Sequence, residues 1–251
     1  MSHANTPHID QRVAIVTGGS RGIGHAVSLK LAADGFAVVV NYAGNTRRAE
    51  ETVAEIEAAG GRALAVQADI ADPVAVEQLF AATHEAFGRL DVVVNSAGVM
   101  EMGQVTSDNL AILDRTLATN LRGSWLMMAK AAETLGEGGR IIAFSSSVLG
   151  KSFPGYGAYI ASKAGVEGLV RVLANELRGR GISVNAVAPG PVATEMFFAG
   201  KSDEQVANIA ALSPFERLGQ PEEIADVVAF LAGPQGRWVH GQILRVNGGM
   251  V

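Results

Sequence analysis

The chain has 251 residues, 48% hydrophobic and 18% charged, with 30 Gly, 8 Pro and no Cys. At roughly 150 residues per domain this is fewer than two domains' worth of chain; the apolar fraction excludes a disordered chain, and the missing thiols exclude disulfides and Cys-ligated metal and suit a reducing cytoplasm. A formal net charge of −5 argues against a nucleic-acid partner, and no run reaches the roughly 20 apolar residues that cross a bilayer, so no membrane partner is expected.

Residues 1–10 hold His3, Pro7 and His8 but no apolar stretch, and read as a flexible tail before a single domain over residues 11–251. Short apolar, β-branched runs then alternate with longer amphipathic stretches. Residues 12–17 predict a strand, 22–33 a helix ending near Gly35, and 36–41 a second strand. Residues 46–59 carry Val53 and Ile56 at helical spacing, and Gly60-Gly61 stops that helix. A third strand spans 63–67; Asp72 then caps a helix that has Pro73 at its first position and runs to about Phe87. Residues 90–94 predict the fourth strand, 107–135 a long helix, 139–145 a strand, 156–180 a helix and 182–187 a strand. Helical segments near 195–212 and 221–231 precede a last strand at 242–246.

Strands apolar along their whole length are buried on both faces, as in a parallel sheet. Seven of them interleaved with helices define an α/β fold, a doubly wound parallel β-sheet flanked by helices. Ligands in such sheets bind outside the carboxyl ends of the strands, so the chemistry is sought there.

Directly after the first strand comes Thr17-Gly18-Gly19-Ser20-Arg21-Gly22-Ile23-Gly24, opening a helix. Its glycines let backbone approach a pyrophosphate, and the helix amino terminus aims N–H groups at the anion. The second strand ends at Asn41, followed by Tyr42 and Ala43, with no carboxylate to repel a 2′-phosphate. Arg21 in the glycine turn can pair with that phosphate. These features favour NADP(H) over NAD(H); Arg47 and Arg48 can assist Arg21, and are read in preference as an exposed helix face. Asp69-Ile70 follows the third strand, where Asp69 can accept from an adenine amino group or cap a turn. Asn95-Ser96-Ala97-Gly98 follows the fourth, small enough for backbone to lie against a ribose, while Asn95 can instead brace the sheet.

Tyr159 and Lys163 form an i, i+4 pair on one face of a predicted helix. An ammonium beside a phenol lowers the phenol pKa toward working pH and makes Tyr159 a usable general acid or base. Ser146, at the end of a strand, can donate to a carbonyl oxygen, although Ser145 and Ser147 flank it and the choice rests on spacing. Asn120 lies inside the long helix, where Asn is a poor helix former and a kink with a structural water would give a proton route.

Taken together, Thr17-Gly18-x-x-x-Gly22-x-Gly24, Asn95-x-Ala97-Gly98, Asn120, Ser146, Tyr159-x-x-x-Lys163 and Pro189-Gly190 occur in order. The chain resembles the short-chain dehydrogenase/reductase family from about Arg12 to its end. Each motif is weak alone and the joint pattern is specific. The resemblance implies a Rossmann-type fold with Tyr159 as catalytic acid/base and Lys163 lowering its pKa and bonding the nicotinamide ribose. It further implies that Ser146 polarises the substrate carbonyl and Asn120 holds a relay water. The segment Pro189-Gly190-Pro191-Val192-Ala193-Thr194 resembles the one beside the nicotinamide carboxamide, through Val192 backbone and Thr194. Ser96 departs from the more usual Asn.

The resemblance thus implies an NADPH-dependent oxidoreductase that reduces a ketone or aldehyde to an alcohol, reversibly. A 3-oxoacyl-[acyl-carrier-protein] reductase and a non-catalytic nucleotide-binding sensor remain the alternatives. Val99, Met100, Met102, Val148, Phe153, Tyr156, Met196, Phe197 and Phe198 are candidate pocket residues and favour an apolar carbonyl or alcohol substrate. Residues 194–213, interrupted around Gly200, read as a substrate lid. His3, His8, His25, His84 and His240 form no ligand-spaced pair, so no catalytic metal is expected. The family commonly assembles as a homotetramer through the helices around Asn120 and Tyr159 and the last strand. Trp125, Leu126, Met127 and Met128 fit burial on more than one side.

Overall fold

A computed structural model describes residues 11–251; the expected tail at residues 1–10 lies outside the described residues. Strand β1 (Val13–Thr17) leads into helix α1 (Gly22–Ala33), followed by β2 (Ala37–Tyr42), α2 (Thr46–Ala58), β3 (Arg62–Gln67), α3 (Pro73–Phe87) and β4 (Val92–Asn95). Then come α4 (Leu110–Leu117), α5 (Gly123–Thr134), β5 (Arg140–Phe144), α6 (Gly157–Glu176) and β6 (Ser183–Pro189). Helices α7 (Glu195–Phe198), α8 (Asp203–Ala210) and α9 (Pro221–Ala232) and strand β7 (Ile243–Val246) complete the order.

The seven strands form one sheet in the order β3-β2-β1-β4-β5-β6-β7, and every neighbouring pair is parallel. Side chains alternate across each strand, and both faces are covered. Ala14 and Val16 of β1 pack with Val27 and Leu31 of α1 and Val228 and Leu231 of α9. Ile15 between them faces the other layer, with Leu79 of α3, Met127 of α5 and Val166 and Val170 of α6. Each such side chain, fully removed from water, stabilises the fold by about 1.5–3 kcal/mol. That double burial is why the strands read as unbroken apolar runs. The chain winds outward from β1 to β3, then returns to β4 beside β1 and winds the other way. The loops after β1 and β4 therefore diverge and open a crevice at the carboxyl end of the sheet.

The local signal at the start of α3 acts as expected, and a second cap stands at α2. Asp72 caps α3 by accepting from Val74 N, with Pro73 in the first turn, and Asn45 caps α2 by accepting from Arg48 N. The long helix expected over residues 107–135 is instead divided. A 3₁₀ turn at Ser107–Asn109 precedes α4, and a π-helical turn at Ala118–Arg122 joins α4 to α5. Asn120 sits in that wide turn with its side chain fully buried, so the local irregularity expected there takes this form. The helical stretch expected over 195–212 is two short helices, α7 and α8, parted at Gly200 (φ 72°). Among the described residues no helix is long and apolar enough to cross a membrane.

Candidate active site

The crevice is a cleft of about 670 Å³ running from the glycine turn after β1 to the segment after β6. The turn itself is built by close packing. Gly18 (φ 61°) and Gly22 (φ 51°) take left-handed backbone. A Cβ on Gly24 would stand 2.2 Å from the Gly18 carbonyl oxygen, and one on Gly18 3.1 Å from Ala97 Cα. Bare backbone therefore forms the floor where Ser20, Arg21, Gly22, Ile23 and Gly24 line the cleft. Helix α1 has no acidic residue in its first turn and no side-chain cap at Arg21. Its first N–H groups are left to meet an anion from the cleft.

The next wall comes from β2 and β3. Asn41, Tyr42 and Ala43 line it, with Asp69 and Ile70 opposite. Asn41 is buried and its amide donates to the Val66 and Ala68 carbonyls at 3.2 and 3.0 Å, tying β2 to β3. The Asp69 carboxylate accepts from Ala71 N at 2.9 Å, which is the turn-capping alternative, while the residue still faces the cleft. Ala97 and Gly98 line the cleft beyond β4. Asn95 is not among the residues that line the cleft. Its amide oxygen accepts from Thr17 Oγ1 and its nitrogen donates to Ser124 Oγ, both at 2.8 Å, so it braces β1, β4 and α5.

Asn120 lies just behind the wall. Its Oδ1 accepts from Val99 N at 2.8 Å, while Nδ2 donates to Val99 O at 2.8 Å and to Ser162 Oγ at 3.1 Å. The π-helical turn thereby pins the strand-like segment after Gly98 against α6.

Three consecutive serines follow β5, and their partners separate them. Ser145 Oγ donates to Glu167 Oε1 at 2.7 Å. Ser147 Oγ donates to Ala188 O at 2.8 Å and accepts from Asn247 Nδ2. Ser146 accepts only a long 3.3 Å contact from Val148 N, so its hydroxyl is left to the cleft that Tyr159 also lines. Tyr159 and Lys163 rise from the first two turns of α6 and both line the cleft.

Burial pushes the Tyr159 phenol up to about 12; the Ser146 hydrogen bond opposes the shift and Tyr156 adds to it. Burial pulls Lys163 down to about 8. Its Nζ donates to the Phe144 carbonyl at 2.9 Å and lies 5.7 Å from the Tyr159 ring centroid. Desolvation is the largest cause of the Tyr159 shift, and Lys163 directs its hydrogen bond to β5.

Pro189, Gly190, Val192 and Thr194 form the far wall, and Thr194 caps α7 by accepting from Phe197 N at 3.2 Å. Of the expected pocket side chains, Val99, Met100, Val148, Phe153, Tyr156, Met196 and Phe197 line the cleft. Met102 and Phe198 point elsewhere and are largely exposed. Arg48 lines it too, and Ile209, Met250 and Glu195 do so unforeseen. Ile209 and Met250 arrive from α8 and the chain's end, which no local motif announces. Among the described residues no cluster of three or more His, Cys, Asp or Glu could hold a metal ion.

The family model described as enoyl-(acyl carrier protein) reductase matches residues 18–251. The chain is 47% identical to a short-chain type dehydrogenase/reductase of Picea abies, covering 96% of this chain and 92% of that protein. It is 46% identical to a chloroplastic NADPH-dependent aldehyde reductase-like protein of Arabidopsis thaliana, covering 96% and 94%. A short-chain dehydrogenase from Burkholderia cenocepacia, solved in complex with NADP, superposes with a TM-score of 0.90 at 41% identity, covering 96% and 97%. With the glycine turn, the serine and the Tyr159/Lys163 pair in one cleft, the chain belongs to the short-chain dehydrogenase/reductase family of oxidoreductases.

Proposed function

We propose that the protein reduces a ketone or aldehyde carbonyl of an apolar small molecule to an alcohol, reversibly, with NADP(H) as cofactor and Tyr159 as general acid and base. One observation carries the reading: a phenol, a serine hydroxyl without a strong partner of its own and, one helical turn on, an ammonium line one cleft. Two hydroxyl donors in one cleft suit an oxygen on which negative charge grows.

The cleft fits a phosphorylated dinucleotide. The backbone floor of the glycine turn, too tight for side chains at Gly18 and Gly24, and the uncapped start of α1 suit a pyrophosphate. Gly18, Ser20, Arg21, Gly22, Ile23 and Gly24 would hold that group, with Asn41, Tyr42, Ala43, Asp69 and Ile70 around the adenosine and Ala97 and Gly98 beside the nicotinamide ribose. The absence of a carboxylate at the end of β2, together with Arg21, supports NADP(H), as do the Arabidopsis and Burkholderia relatives. When bound, NADPH supplies the hydride.

The chain's own residues do the rest. Ser146 and Tyr159 hold the carbonyl oxygen, and Tyr159 Oη gives up its proton as the alcohol forms. A phenol raised to about 12 is protonated at neutral pH, the form reduction requires. Lys163, Val192 and Thr194 would hold the nicotinamide end of the cofactor, and Asn120 would position the water that reloads Tyr159. Tyr156, Phe153, Met196 and Phe197 form an apolar wall for the substrate, and residues 194–213 act as its lid. Trp125, Leu110 and Val172, exposed on α5, α4 and α6, support assembly as a homotetramer.

The deciding assay mixes purified protein with NADPH or NADH and a panel of aldehydes, aromatic and aliphatic ketones, and a 3-oxoacyl thioester. Oxidation of NADPH by an apolar ketone or aldehyde supports the reading. Turnover confined to the thioester assigns the acyl-carrier alternative, and cofactor binding without turnover assigns the sensor.

A further inference from the structure

The charged face of α2 reaches into the cleft instead of only into solvent. Arg48, in the first turn of α2, lines it beside Gly44 and Asn45. Its guanidinium grips Glu195 with both arms, Nη1 to Oε2 at 2.6 Å and Nη2 to Oε1 at 2.8 Å. Glu195 opens α7, 147 residues further along the chain, so the pair ties α2 to the segment after β6. Arg48 first, and Arg21 at longer range, hold the Glu195 carboxyl below the usual carboxylate range. Arg21, Arg48, Thr194 and Glu195 also line a second crevice of about 420 Å³, so the pair stands where two openings meet.

We infer that Glu195 is a resident anion in the place of a phosphate: Arg48, with Arg21, binds the 2′-phosphate of NADP(H), which displaces Glu195 from it. The inference rests on the cofactor reading above and deepens it. The guanidinium fork that takes a carboxylate with two parallel hydrogen bonds takes a phosphate in the same way. The pair is easily exchanged, because its side chains are 36% and 70% exposed and exposed ion pairs contribute little to stability. A phosphate carries close to two negative charges at neutral pH, against one on Glu195. No carboxylate of β2 stands in the way, since the strand ends in Asn41 and Tyr42. NADH has no 2′-phosphate and leaves Arg48 on Glu195. Arg48 therefore sets cofactor preference by attraction, and Glu195 tempers the affinity for NADPH by competition.

Titration of wild type, Arg48→Gln, Arg48→Lys and Glu195→Gln with NADPH and NADH, followed by calorimetry, tests this. Arg48→Gln is expected to weaken NADPH by about 10-fold or more, the loss of a charge-assisted bidentate contact, while NADH moves by less than about 2-fold. Arg48→Lys is expected to fall between, keeping the charge without the fork. Glu195→Gln is expected to tighten NADPH by roughly 3-fold or more, removal of a weak competing ion pair, and to leave NADH unchanged. Arg48→Gln shifting both dinucleotides equally, or neither, overturns the role of Arg48. Glu195→Gln weakening NADPH, or leaving it unmoved, overturns the competition. A wild type that binds NADH as tightly as NADPH sinks the cofactor reading itself, a different result from a wild type that prefers NADPH and keeps that preference without Arg48.

Discussion

Lys163 Nζ donates at 2.9 Å to the carbonyl of Phe144, the last residue of β5. This bond joins the end of the strand just before Ser146 to the helix that carries Tyr159. It also holds an ammonium in a buried place, where desolvation draws its pKa down to about 8. The neighbouring phenol moves the opposite way, up to about 12, because burial disfavours the charged form of each. The two groups thus titrate well apart, with the lysine first.

That order fixes a pH profile. Lys163 keeps its charge below about pH 8 and loses it above, while Tyr159 stays protonated until about pH 12. kcat/KM for NADPH reports groups of the free enzyme. It is expected to fall on an alkaline limb near pH 8, set by Lys163. Lys163→Gln should be slow at every pH and show no such limb. The stability sign follows from the same shift: the folded state binds fewer protons than the unfolded one between about pH 8 and 10.5, so Lys163's contribution rises with pH across that window. A wild-type limb appearing only near pH 10 to 12 would transfer the control to the phenol.

Tyr159→Phe removes the proton donor and leaves the ring. The variant is expected to lose about 10²–10⁴-fold in kcat, the worth of a positioned general acid, while NADPH binding, followed by its fluorescence, stays measurable. The ring's edge contact with Tyr156, at 6.5 Å between centroids, survives the change, so the fold should persist. Turnover within a few-fold of wild type would refute the assignment.

Much of this architecture is legible in the chain because its causes are local. The two-sided burial of β1, β2 and β4 writes unbroken runs of Val, Ile and Ala, and Asp72-Pro73 announces α3. Asn120 betrays an irregular turn because an amide in a helix interior competes with the backbone. What stays hidden depends on contacts distant in sequence. Arg48 reads as a solvated face of α2, since its partner Glu195 belongs to another element. The elevation of Tyr159 is invisible for the same reason: spacing places an ammonium nearby, but only packing buries the phenol and raises it. Asn95 offered two readings, and the partners Thr17 and Ser124 select the bracing one.

The three serines after β5 should separate in mutagenesis. Ser146→Ala removes the hydroxyl beside the phenol and is expected to lower kcat by about 10²-fold, as loss of one oxyanion donor does, with little change in melting temperature. Ser147→Ala leaves the Ala188 carbonyl and the Asn247 amide without their shared partner, and is expected to lower stability by about 1–3 kcal/mol at near-normal kcat in the surviving fold. Parallel turnover assays and urea titrations of both variants give the comparison. If Ser147→Ala abolishes turnover and Ser146→Ala does not, the hydroxyl that faces the substrate has been misassigned.

Asn120 joins the site's support to its chemistry, and its replacement separates the two. Its carboxamide satisfies both the N–H and the C=O of Val99 and reaches Ser162, whose own hydroxyl donates to the Tyr159 carbonyl. Asn120→Leu fills similar space but strands these buried groups, and is expected to cost about 1–3 kcal/mol in urea unfolding. Asn120→Asp keeps an acceptor for Val99 N but loses both donations from Nδ2 and sets a buried carboxyl against the Val99 carbonyl, so its turnover is read only where it is shown to be folded. Under conditions where the Asp variant is fully folded, its kcat should still fall well below wild type while KM for NADPH changes little. A folded Asp variant with normal kcat would reduce Asn120 to a brace and remove it from the relay.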